Sequence, residues 1–148
     1  MKTRLFFCIA AILFLFISGC KKNDSTPPVK TVKEYLTQEP WKFEDAGLDA
    51  DNNGTVDQAD PYLQDCKKDN LVTFYGNNSG VNDEGATLCD VTDGQTTPFV
   101  WSLSNNDKNL TVDGRTVTIF SLNQTYLKAY YDTLILGSTY RYLTISKH

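Results

Sequence analysis

The sequence predicts an all-β fold, and three observations carry that expectation. Beyond residue 40, helical periodicity vanishes and short runs rich in Thr, Val, Tyr and Phe are separated by clusters of Gly, Asn and Asp, where chains reverse. Within the runs, apolar and polar side chains alternate, as Phe99, Trp101 and Leu103 do against Ser102 and Ser104, so each strand buries one face. The chain has 148 residues, 41% hydrophobic and 22% charged, which suffices for one core and is short for two.

Residues 1–19 have the zones of an export signal. Lys2 and Arg4 supply positive charge, Leu5 to Ile17 form an apolar run too short to span a bilayer comfortably, and Ser18 and Gly19 are small. Ile17-Ser18-Gly19-Cys20 resembles the lipobox of bacterial lipoproteins, in which cleavage leaves the cysteine as a lipidated N-terminus. A lipidated Cys20 would bind the protein to a membrane without a transmembrane helix, since each buried methylene is worth about 0.8 kcal/mol. The expected location is the bacterial cell envelope, at the outer membrane. Residues 20–32 are polar and contain Pro27-Pro28, as expected of a semi-rigid tether reaching at most roughly 45 Å.

The folded domain is expected over 33–148. Val32, Tyr35 and Leu36 fall at i, i+3 and i+4 and predict a short N-terminal helix that Pro40 ends. Eight strands follow: Trp41–Ala46, Leu71–Tyr75, Gly80–Asp83, Pro98–Leu103, Asn109–Asp113, Arg115–Leu122, Thr125–Asp132 and Thr139–Ser146. Gly76-Asn77-Asn78-Ser79-Gly80 supplies residues tolerant of positive φ, and Asp113-Gly114 is a two-residue hairpin signal of the type I′ class. Leu127, Ala129 and Tyr131 alternate with Lys128. Consecutive strands with short links predict an eight-stranded up-and-down barrel, whose closure removes sticky edges, in preference to a Greek-key sandwich.

The cysteines fit an exported protein. Cys8 leaves with the signal, Cys20 takes lipid, and Cys66 and Cys89 remain as a pair, read as a disulfide; two free or metal-binding thiols are the alternative.

Trp41-Lys42, Cys66-Lys67-Lys68-Asp69-Asn70, Thr73-Phe74, Asp83-Glu84-Gly85-Ala86-Thr87-Leu88-Cys89-Asp90 and Trp101-Ser102-Leu103-Ser104 together resemble the lipocalin-like domain of bacterial lipoproteins, over residues 33–147. The resemblance implies a small lipocalin-like β-barrel in which the cysteine pair and the DEGAT-x-C segment recur. It implies no general substrate or reaction. Pro40 stands before Trp41 where lipocalins proper have a Gly-x-Trp signature.

The sharpest chemical motif runs from Asp49 to Asp60. Set on the twelve-residue calcium loop, Asp49, Asp51, Asn53, Asp57 and Asp60 provide side-chain oxygens at positions one, three, five, nine and twelve. Gly54 occupies position six, where the chain reverses, and Thr55 offers its carbonyl at seven. Calcium takes six to eight hard oxygen ligands, which this spacing wraps about one point. The approach Trp41–Leu48 reads as a strand, the last position is Asp where Glu is usual, and the loop stands alone, so the expected role is structural. The competing reading is a solvated acidic turn, because Asp, Asn and Gly also form turns.

Eighteen acidic against 14 basic side chains, without a basic stripe, argue against a nucleic-acid partner. The one histidine, His148, and the lack of a GxSxG leave no base for a hydrolase triad, so no enzyme is expected. Glu84 reads as a structural partner beside the cysteine pair. Tyr126, Tyr130, Tyr131, Tyr140 and Tyr142 either fill the barrel or line a pocket. The expected function is a membrane-anchored, calcium-stabilised binding module for a small apolar or glycan ligand. The alternative is a structural or protein-interaction lipoprotein with a filled barrel.

Overall fold

A computed structural model describes residues 28–92 and 94–148. The signal at 1–19, Cys20 and most of the tether lie outside the described residues.

The first element is the short helix α1 (Val32–Leu36), started by a capping box: Thr31 Oγ1 accepts from Glu34 N, and the Glu34 carboxylate accepts from Thr31 N at 2.6 Å. Five residues make too short a helix to persist alone. Its stability comes from packing: Leu36 is fully buried, and its carbonyl accepts from Trp41 Nε1 at 3.0 Å.

Nine antiparallel strands follow: β1 (Trp41–Asp49), β2 (Gln58–Ala59), β3 (Leu71–Phe74), β4 (Ser79–Asp83), β5 (Thr96–Ser104), β6 (Asn109–Val112), β7 (Arg115–Leu122), β8 (Tyr126–Ile135) and β9 (Ser138–Lys147). From β3 to β9 each strand pairs with the next, and β9 returns to pair with β1, closing the sheet into a ring. The eight expected strands are those of the ring. The ninth, β2, was not expected, and it corrects the count. One edge of β1 is shared, with Trp41 and Lys42 pairing to β3 while Gly47 and Leu48 pair to β2, and its other edge runs along β9. At Gly47 a side chain would collide with the Gln58 carbonyl, so glycine lets β2 approach.

Directly opposed residues in antiparallel strands point to the same face, so the register separates inside from outside. Trp41↔Val72, Phe99↔Gly80, Trp101↔Val112, Leu103↔Leu110↔Val117, Ile119↔Ala129 and Leu122↔Leu127 trace one face round the ring. That face holds the core of Leu36, Trp41, Phe74, Phe99, Trp101, Leu110 and Leu127, with edge-on contacts from Phe74 to Phe99 and Trp101. Helix α1 covers this end of the ring, and His148 packs against Trp41 at a tilt of 34° with ring centroids 3.7 Å apart. The same inner face continues through Ala46↔Thr144↔Ala129 to Leu48↔Tyr142↔Tyr131 at the far end. Tyr131 is thus on the expected face but 43% exposed, because none of the described residues caps that end.

Asp113 and Gly114 both have positive φ, 46° and 80°, as the hairpin signal predicts. In the loop before β4, Asn78 carries the positive φ of 69°, and Gly76 and Gly80 do not. The β8–β9 hairpin extends past both expected strand ends and turns at Leu136 and Gly137, with φ of 50° and 83°. Pro98 sits in β5, opposite Val81, beside an edge that β6 does not reach, where a missing N–H is tolerated.

Candidate functional site

Two features share one end of the ring, and the chain from Asp49 to Tyr62 builds both. The first is the acidic loop. Asp49 ends β1 opposite Arg141 of β9, on the outer face, and its side chain is fully buried. Its two carboxylate oxygens accept from Asn53 N at 2.9 Å and Gly54 N at 3.0 Å, while Arg141 Nη1 lies 3.6 Å from Oδ2. Asp51 accepts from Asn53 N and Nδ2, Asp57 Oδ2 accepts from Ala50 N at 2.7 Å, and Asn53 Oδ1 accepts from the Thr55 amide and hydroxyl. Asn52 and Gly54 reverse the chain with φ of 61° and 81°.

Ligand oxygens of Asp49, Asp51 and Asp57 all lie within 4.8 Å of one another. Two oxygens that bind one calcium ion at about 2.3–2.6 Å stand at most roughly 4.6–5.2 Å apart, so this triad fits around a single hard cation. Asp60 is held elsewhere. Its Oδ2 accepts from the Tyr142 hydroxyl at 2.6 Å and its Oδ1 from Tyr62 N at 2.8 Å, and these bonds hold its carboxyl below the ordinary aspartate range. The same carboxylate, after the burial of the phenol itself, pushes Tyr142 well above the ordinary tyrosine value.

What clamps the loop has no local signature in the sequence. Lys128 Nζ donates to the Gly54 carbonyl at 2.6 Å and Arg141 Nη1 to the Asn52 carbonyl at 3.3 Å. The Arg141 guanidinium lies 3.9 Å from the Tyr130 ring centroid and 5.6 Å from that of Phe120. These residues belong to β7, β8 and β9, so only the strand register brings them to the loop.

The second feature is an open cleft of about 560 Å³ at the uncapped end of the ring. One wall is the extended β8–β9 hairpin, with Tyr131, Thr133, Tyr140 and Tyr142; Tyr131 and Tyr142 stack at 5.1 Å. The other is the segment that leaves the acidic loop, Gln58 to Tyr62. Of the expected tyrosines, Tyr131, Tyr140 and Tyr142 meet here. Tyr130 faces outward to Arg141, and Tyr126 lies at the other end of β8. Tyr62, which the sequence did not single out, is 89% exposed at the rim.

Away from both features, Cys66 and Cys89 form a disulfide, with Cα atoms 5.2 Å apart. It ties the 3-10 turn Asp65–Lys67 to the DEGAT segment. Asp83 accepts from Gly85 N and Gln95 Nε2, Asp69 accepts from Ala86 N, and Glu84 accepts from Asn82 Nδ2. That segment is a structural brace. Among the described residues no helix is long and apolar enough to cross a membrane.

Comparison of the chain with protein-family models, with curated proteins and with solved structures finds no match.

Proposed function

We propose that this protein is a bacterial lipoprotein, anchored in the cell envelope at the outer membrane through acylated Cys20, and that its lipocalin-like barrel is a small-ligand binding module stapled by calcium. The observation that carries the reading is the cleft. The ring is packed with Trp, Phe and Leu at the helix end and open at the other, where tyrosines surround a volume within the roughly 300–1,000 Å³ of small-molecule sites. A barrel serving only as a scaffold has no need of one open end.

Calcium supports that architecture. Asp49, Asp51 and Asp57 would hold the ion, with Asn53 and the Thr55 carbonyl completing the oxygen set, and bound calcium would neutralise carboxylates that otherwise repel one another. The loop leads directly into β2 and Asp60, so fixing it fixes one wall of the cleft.

Native mass spectrometry of the lipidated protein released from its own membranes tests the binding reading. It predicts a co-purifying small molecule that Tyr131→Ala loses. A mass equal to that of the bare lipoprotein, for both wild type and variant, contradicts it. A second reading, a protein-interaction lipoprotein, is favoured by one observation: Leu134 and Leu136 at the tip of the β8–β9 hairpin are 71% and fully exposed.

A further inference from the structure

The lining of the cleft narrows what it takes. Among the described residues that line it, Asp60 is the single charged side chain, and none is Lys, Arg or His. Asp60 forms no ion pair among the described residues; the nearby Lys68, which lines a neighbouring depression with Asp60, is paired to Asp65 at 2.6 Å. Both carboxylate oxygens accept one hydrogen bond from a neutral donor, which orients the group and leaves its charge uncompensated. Tyr62, Tyr131, Tyr140 and Tyr142 line the same cleft, the first three 89%, 43% and 37% exposed. Exposed tyrosine faces carry negative quadrupole potential.

An anionic ligand, such as a fatty-acid carboxylate or a phosphate, would meet this charge with no cation to receive it. A wholly apolar ligand would leave much of its surface wet in so open a site, since small-molecule pockets bury most of their ligand. Resting on the binding reading above, we infer that the cleft takes an organic cation, a small molecule with an ammonium head group that sits against the tyrosine faces and is neutralised by Asp60. Each ring within about 6 Å of such a cation adds attraction that a neutral head group of the same shape does not receive. The acidic balance of the chain, formally −4, draws the same class of ligand.

Calorimetric titration of the full mature protein, in millimolar calcium, with choline and its uncharged isostere 3,3-dimethylbutan-1-ol isolates the charge from the shape. The expected result is choline binding at least about tenfold tighter than the alcohol, a gap that falls below about threefold in Asp60→Asn. Tyr62→Ala guards against misfolding as an explanation, because that ring is exposed and its removal opens no core; it should also weaken choline more than the alcohol. Equal affinities, or tighter binding of the alcohol or of a neutral sugar, overturn the cation inference while leaving a small-ligand module in place. Absence of heat with every probe also overturns it, and the co-purification experiment then decides the binding reading on its own.

Discussion

The Tyr142 hydroxyl donates to the Asp60 carboxylate at 2.6 Å, joining the strand that closes the ring to the segment that leaves the acidic loop. One wall of the cleft is therefore fastened to the other by a bond between a phenol and an ionised acid, and that bond depends on pH at both limits.

The carboxyl of Asp60 is held below its ordinary value of 3.8, first by Tyr142 and then by Tyr62 N, so its contribution is complete above that pH and fades as pH falls through the lowered value. Burial and Asp60 raise Tyr142 above its ordinary 10.0, so its contribution is complete below pH 10.0 and fades as pH rises toward the raised value. Tyr142→Phe removes the phenol's contribution and the larger share of that of Asp60, whose bond from Tyr62 N remains. Urea midpoints of wild type and variant should differ by a constant amount between about pH 5 and 9, and the difference should shrink below about pH 4 and above about pH 10.

Gly54 reverses the acidic loop at a φ of 81°, and any side chain there would overlap the Phe120 ring. Gly54→Ala should destabilise by about 2 kcal/mol, from the left-handed backbone and from the collision. In the double variant with Phe120→Ala the collision is gone and only the backbone cost, about 1 kcal/mol, remains. A denaturation cycle over the four proteins checks this, with the two substitutions expected to be non-additive.

The ring was legible because its information is local. Alternation along β5 and the Asp113-Gly114 turn are written in consecutive residues, and eight strands followed in meander order. What was hidden depends on pairing. Gln58-Ala59 has no period of its own and becomes β2 because Gly47 lets it come close. The acids of the loop could be read from their spacing, but Arg141 reaches Asp49 only through the β1–β9 register. Asp60 was expected with the other loop oxygens, and its attachment to Tyr142, 82 residues away, has no signature in the sequence.

The β8–β9 turn was hidden for a different reason. Leu136 takes a φ of 50° where Asn, Asp or Gly is favoured, and its side chain is fully exposed. Leu136→Asn should therefore stabilise the protein by about 0.5–1 kcal/mol, read as a raised Tm, with the cleft lining unchanged.

The disulfide closes a separation of 23 residues, and the chain-entropy model assigns such a loop about 3 kcal/mol. Replacing both cysteines, Cys66→Ser with Cys89→Ser, should lower stability by about that amount in chemical denaturation. Because the bridge joins the 3-10 turn to the DEGAT segment, away from the cleft, ligand binding by the molecules that remain folded should be unaffected.

If calcium in the Asp49–Asp57 loop holds one wall of the cleft, its removal must loosen that wall before the rest of the ring. Hydrogen exchange on chelator-treated protein, with and without millimolar calcium, tests it most directly. Binding to the folded state alone stabilises by about 2.7 kcal/mol at a hundredfold excess of free calcium over Kd. Slowed exchange is expected from Ala50 through Tyr62, with little change in β5 and β6 and loss of the effect in Asp51→Ala, which removes an exposed carboxylate without opening the core. Identical exchange in Ala50–Tyr62 with and without calcium, together with an unmoved Tm, would contradict it.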